Sequence, residues 1–230
     1  MKLGDFELNL LSDGFFSLDG GQIFGVIPRI LWEKKIAPDG LNRIRLALNS
    51  LLVRTGDQTV LIETGIGNRM DEKSVGIYDV QKPTDLLKDL EKCGVAPEEV
   101  DVVINTHLHF DHCGWNLMPG KNGDLVPTFP RARYYVQKGE WEHALAPSDR
   151  DRAGYRKDYF LGVRDRVTLL EGGQEIIPGI RVEVFSGHTR HLQGVWITSK
   201  GQEALFISDL SPTAANIPYV WIPALDIYPM

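Results

Sequence analysis

Three histidines and one aspartate fall within six residues in Thr106-His107-Leu108-His109-Phe110-Asp111-His112. Neutral imidazole nitrogen and carboxylate oxygen are the ligands that zinc and its neighbours accept, and a short loop can present successive side chains to two adjacent ions. Solvated polar loop residues are the plain alternative. Ligand type, spacing and position directly after an apolar run argue for metal instead. Further along, Ser186-Gly187-His188-Thr189 supplies another imidazole, and Ser208-Asp209-Leu210 supplies another carboxylate. Either would read as an ordinary turn residue by itself; beside the histidine cluster they read as its partners. In a site with two ions about 3.5–4 Å apart, a bridging carboxylate fixes the separation and a shared water is acidified toward a neutral-pH nucleophile. Asp209 is the natural bridge.

Ligands of this kind need rigid elements behind them. Asp101 to Asn105 (DVVIN) is a short β-branched run, which predicts a strand buried on both faces that delivers the chain to Thr106. Asp5 to Leu11 and Leu46 to Arg54 mix apolar and polar residues at short period, and Thr59 to Glu63 follows the turn-like Thr55-Gly56-Asp57-Gln58, predicting antiparallel strands. Leu86, Leu87 and Leu90 share one face of a helix over Thr84 to Lys92, with Gly94 placed to end it. Lys138 to Arg166 is charged and aromatic and reads as helical, its part from Asp149 onward as a solvated face, with a cover over the metal cleft by Tyr155, Tyr159 and Phe160 as the alternative. Strands return at Ile180 to Phe185, Gly194 to Thr198 and, after a Ser199-Lys200-Gly201-Gln202 turn, Ala204 to Ser208. An α+β fold follows, with two β-sheets packed face to face, helices outside and the ligand-bearing loops gathered on one edge.

The 230 residues suffice for a single core, and 43% hydrophobic with 24% charged residues is the usage of a folded domain rather than a disordered chain. A formal net charge of −6 offers no basic footprint, so nucleic acid is not expected as a partner. The start, MKLGDFELNLLSDG, meets acidic residues too early for a secretory signal. No stretch approaches the roughly 18 apolar residues of a membrane span. Cys93 and Cys113 are too few for a disulfide framework and fit a reducing, cytoplasmic setting. Surface apolar residues give a weak expectation of a homodimer.

The residues His107, His109, Asp111, His112, His188 and Asp209 resemble the HxHxDH pattern and downstream partners of the metallo-β-lactamase-fold superfamily. The likeness extends over LIETGIG at 61–67, THLHFDHCGWN at 106–116, GHT at 187–189 and SDLSPTAANIPYVWI at 208–222. It is strongest to the branch of quorum-signal lactonases and organophosphate hydrolases. The resemblance implies a four-layer αββα sandwich of two mixed sheets. It also implies a first metal held by His107, His109 and His188, a second held by Asp111 and His112, and Asp209 between them. Two zinc ions per chain are then expected, with manganese or iron acceptable at the second position. The chemistry implied is attack by metal-bound hydroxide on a lactone, ester or phosphotriester, with Asp111 or Asp209 passing a proton to the leaving group. Members usually add a late histidine to the second metal, whereas none follows His191 here. On the resemblance, residues 1–230 form a single domain lacking a C-terminal helix and strand after LDIYPM at 225–230. The alternatives are a thioesterase of glyoxalase II type, or a metal-binding remnant without full activity.

Other residues receive plainer readings. His143 is expected in a surface or packing role, and His191 is too offset from His188 to replace a ligand readily. Cys113 reads as a small packed residue beneath the loop. Glu63 would be an ordinary turn residue by itself, but the resemblance makes it a support of the metal loop. Phe24, Val26, Ile27, Ile30, Leu31 and Trp32 divide evenly between core and the wall of an apolar pocket, with the pocket slightly preferred.

Overall fold

Alternation of buried and more exposed residues over the first eight positions of Arg43–Arg54 puts Ile44, Leu46, Leu48 and Ser50 on one face, as a half-buried strand requires. A computed structural model of the chain describes residues 1–225; residues 226–230, which hold most of the LDIYPM segment, lie outside the described residues. Among the described residues the strands are β1 (Lys2–Leu3), β2 (Phe6–Asp19), β3 (Arg43–Arg54), β4 (Thr59–Ile62), β5 (Val102–Ile104), β6 (Leu117–Pro119), β7 (Leu125–Pro127), β8 (Arg133–Gln137), β9 (Val167–Leu170), β10 (Gln174–Ile177), β11 (Ile180–Val184), β12 (Gln193–Ser199) and β13 (Gln202–Phe206). The helices are α1 (Gly20–Phe24), α2 (Arg29–Trp32), α3 (Glu72–Tyr78), α4 (Leu86–Lys92), α5 (Lys138–Leu145) and α6 (Lys157–Phe160).

The first sheet runs β1-β2-β3-β4-β5-β8-β9 and is mixed: β4, β5, β8 and β9 pair in parallel and the rest antiparallel. The second sheet, β10-β11-β12-β13, is antiparallel throughout the described residues. Leu8, Val53, Val60, Ile62, Val102 and Ile104 of the first sheet meet Ile180, Val182, Val195 and Ile197 of the second in one buried layer. Helix α4 covers the outer face of the first sheet with Leu86 and Leu90 against Leu11, Leu52 and Leu61. This is the face-to-face sandwich that the element order predicts. β5 is buried at all three positions, so it is a two-faced core strand that ends at the metal-type loop.

Two expectations are corrected. Phe24 and Trp32 are fully or nearly fully buried and stack at 5.2 Å, so they belong to the core rather than to a pocket wall. The stretch from Asp149 to Arg166 is not a solvated face: Tyr155, Tyr159 and Phe160 are buried, and the segment packs onto the histidine loop. Its many charges hide this, yet the guanidinium groups of Arg156 within it and of Arg69 outside it stand over the Tyr159 ring at 5.0 and 4.4 Å.

Candidate metal centre

Strand β5 hands the chain to Asn105 and Thr106, and the next six residues fold back on themselves through a hydrogen bond from His112 N–H to His109 C=O (3.0 Å). His188 arrives from the loop after β11, and Asp209 from a short 3₁₀ turn at Ser208–Leu210 after β13. The structure brings all six side chains together. Ligand-type atoms of His107, His109 and His188 lie within 4.8 Å of one another, as do those of Asp111, His112 and Asp209. Glu63, His107 and His112 form a third such group.

Nε2 of His188 faces Nδ1 of His109 at 3.0 Å, and Nε2 of His107 is buried without a hydrogen-bond partner among the described residues. Burial, helped by His112, His109 and His188, pushes His107 well below the ordinary imidazole range. Burial and His188 take His109 down to about 3 against the pull of Asp111. Neutral imidazoles with converging lone pairs are the donor set that a borderline metal ion accepts, so these residues fit such an ion. His112 behaves oppositely. Burial works against its charge, but Asp111, Asp209 and Glu63 outweigh that and lift it well above the usual range. Asp209 feels burial too, yet His112 and then His188 and His109 hold its carboxyl below the ordinary range. Its two oxygens look both ways: Oδ1 lies 3.5 Å from His112 Nε2, and Oδ2 lies 3.4 Å from His188 Nε2.

A tier of buried polar groups fixes the loop. Glu63, in the left-handed region at φ 66°, accepts hydrogen bonds from the Thr106 N–H (3.1 Å) and hydroxyl and stands 3.5 Å from His112 Nδ1. Thr64 N–H and the Asn105 side chain donate to the His112 carbonyl at 2.9 and 3.0 Å, and Asn116 ties Asn105 to Thr64. Cys113 is buried with its thiol over the Leu108 and His109 carbonyls, and burial pushes the thiol pKa well up, which suits packing and not reactivity.

Two carboxylates essential to this scaffold escape sequence reasoning. Asp13, with no exposed surface, accepts from the N–H groups of Ile66, Gly67 and Leu86 and from Trp115 Nε1, and pairs with Lys82 at 2.8 Å. Glu140 on α5 accepts from Leu108 N–H and the Tyr155 hydroxyl, both at 3.0 Å, and from the Thr189 hydroxyl at 2.7 Å, so one side chain joins both histidine loops. No local signal marks either one. His191 packs its ring against Gly139, where a Cβ would come within 2.4 Å of it, and His143 pairs with Asp151 at 2.6 Å. Neither stands among the clustered ligand-type groups.

A cleft of about 560 Å³ opens over His109, Asp111, His188 and Asp209, with apolar walls from Phe16, Leu18, Tyr78 and Phe110. Asp111 and Asp209 also border a second, smaller cavity of about 300 Å³ lined by Leu46, Leu48 and Phe206.

Residues 44–229 match the metallo-beta-lactamase superfamily. An N-acyl homoserine lactonase from Bacillus thuringiensis is 27% identical over 180 residues, which is 72% of this chain and 64% of the relative. The chain thus spans less than two thirds of the length of that curated relative. The crystal structure of a probable metal-dependent hydrolase from Staphylococcus aureus superimposes with a TM-score of 0.93 at 32% identity, covering 100% of this chain and 82% of that one. A dizinc quorum-quenching lactonase with its product bound shares the fold at a TM-score of 0.73 and 22% identity, over 91% of this chain and 73% of that one.

Proposed function

The chain belongs to the metallo-beta-lactamase superfamily, and on that basis we propose that it is a metal-dependent hydrolase with a binuclear site that opens a lactone, with carboxylic esters and phosphotriesters as the next substrate classes. The observation that carries this reading is the pair of ligand groups, three histidines on one side and Asp111, His112 and Asp209 on the other. His107, His109 and His188 would hold the first ion and Asp111 and His112 the second, with Asp209 placed to serve both. Ions held there, zinc first among the choices, would supply an acidified water and a Lewis acid for the carbonyl or phosphoryl oxygen. Asp111 borders the cleft and is the group we assign to carry the proton to the leaving oxygen. Phe16, Leu18 and Phe110 supply apolar walls suited to an acyl or aryl group. Relatives that act on N-acyl homoserine lactones favour the lactone. Two free thiols, one buried and one half-buried, accord with a cytoplasmic setting.

The test is a panel of an N-acyl homoserine lactone, an aryl ester and a phosphotriester with zinc-loaded protein. Turnover of the lactone should disappear on chelation and return with zinc, and Asp209→Ala should lower kcat/KM by more than about 100-fold. No chelator-sensitive turnover of any member would overturn the proposal.

A further inference from the structure

Tyr78 is the last residue of α3 and lines the larger cleft together with His109, Asp111, His188 and Asp209. Its ring packs on Phe110, between His109 and Asp111 in sequence, with centroids 5.1 Å apart. The helix end that carries it is tethered. Arg43 donates to the carbonyls of Gly76 and Ile77 at 3.1 and 3.0 Å, Gln81 pairs with Phe15 through two backbone hydrogen bonds of 2.8 Å, and Asp79 caps the helix in the left-handed region at φ 45°. The Asp79 carboxylate in turn accepts from Gln81 Nε2 at 2.9 Å. So short a helix gains little stability from its own hydrogen bonds, and these tethers fix where the ring stands.

The half-buried phenol makes no hydrogen bond among the described residues, and unlike the buried, likewise unpartnered Tyr159 hydroxyl it belongs to a residue that lines the cleft. Tyr155 donates to Glu140 and Tyr134 to the Asn116 carbonyl. Of the cleft's other carboxylates, Asp19 is occupied by Gly21 N–H and the Asn42 side chain, and Asp151 by His143 and the Ser148 hydroxyl. Tyr78 therefore brings an uncommitted neutral donor to the part of the cleft wall that it shares with Phe16, Leu18 and Phe110. A phenol is protonated near neutral pH and so is a hydrogen-bond donor there.

We propose that the Tyr78 hydroxyl touches the substrate, donating a hydrogen bond to an oxygen of the scissile ester or lactone group while Phe110 and Phe16 hold the apolar chain. This rests on the hydrolase reading above. It selects substrates that join an oxygen acceptor at the reacting centre to an apolar acyl group, and it makes Tyr78 a specificity-determining residue of the cleft.

The experiment compares zinc-loaded wild type with Tyr78→Phe, which removes one oxygen and keeps the ring. Two readouts are taken: kcat and KM on an N-hexanoyl lactone, and calorimetric affinity for ring-opened N-hexanoyl-homoserine, with metal content and melting temperature as controls of the fold. The expected result is a loss of about 10-fold in kcat/KM and a several-fold loss in affinity, with metal content unchanged. Arg43→Gln, which frees the end of α3 without touching the phenol, should give a smaller loss in the same direction. Equal kcat/KM and equal affinity in wild type and Tyr78→Phe would overturn the proposal. Wild type that binds the ring-opened product but hydrolyses no lactone would overturn the hydrolase reading alone, since the affinity comparison still decides Tyr78. Wild type that does neither would overturn both.

Discussion

An imidazole whose pKa in the folded chain lies below its value in the unfolded one takes up its proton only after unfolding, so acid favours the unfolded state. His107 and His109 are of this kind, with His109 at about 3. These two histidines should therefore make metal-free protein less stable as the pH falls below about 6.5, by up to roughly 1.4 kcal/mol per pH unit for His109, with His107 acting in the same direction. His112 has the opposite sign: its raised pKa adds stability below the unfolded value, and that gain is lost only as pH rises through the folded value. It does not relieve the acid loss. Urea unfolding at pH 7, 5.5 and 4.5 checks this, and an apo protein equally stable at all three would show that the imidazoles are not held neutral. Glu140 yields a second prediction at this scale. Glu140→Ala strips the acceptor from Leu108 N–H, Tyr155 and Thr189, and should weaken metal affinity by about 10–100-fold in chelator competition while leaving every proposed ligand in place. The six ligand-type residues were legible because four crowd into one loop and the other two follow strand-like runs. Glu140 was not, because it meets Thr189 from 49 positions away and nothing near it in sequence announces the contact.

At the scale of elements, the histidine loop owes its shape to close backbone approach against residues 63–67. A Cβ on Gly114 would stand 2.1 Å from the Ile66 carbonyl carbon and 2.5 Å from Gly67 N, so Gly114→Ala must push the two segments apart. Reduced metal content and a lower melting temperature are expected together; an unchanged melting temperature would show that the segments can yield. Asp13→Ala removes the anchor of the same segment and leaves Lys82 without its buried partner. It should cost about 3–5 kcal/mol in urea unfolding, far more than an exposed pair such as Arg152–Asp149 would. Helix α4 and strand β5 were readable from periodicity and β-branched run. β2 was read only as far as Leu11, because its register shifts between Ser12 and Phe15 and breaks the alternation. That shift coincides with buried Asp13, so the irregularity that hid the strand's length also hid the residue that anchors the ligand loop.

For the whole molecule, the sandwich exists to hold loops from both sheets at one edge. β5 and β4 of the first sheet supply the histidine loop and Glu63, while β11 and β13 of the second supply His188 and Asp209. Gln193 stitches the two halves beneath the site, its N–H donating to the Thr106 carbonyl at 3.0 Å and its side chain to the Asn105 carbonyl at 2.9 Å. Sequence pattern gave this layering but not the stitching, which depends on residues 88 positions apart meeting across the core. A ligand set drawn from both sheets should couple metal binding to folding, so saturating zinc is expected to raise the melting temperature, by an amount that grows with free zinc concentration. Within the described residues no helix is long and apolar enough to cross a membrane. The most direct test of the binuclear site is the metal-to-chain ratio of purified protein by elemental analysis after loosely held ions are removed. A binuclear site predicts a ratio near two in wild type that falls on Asp209→Ala. A ratio at or below one in wild type would contradict it.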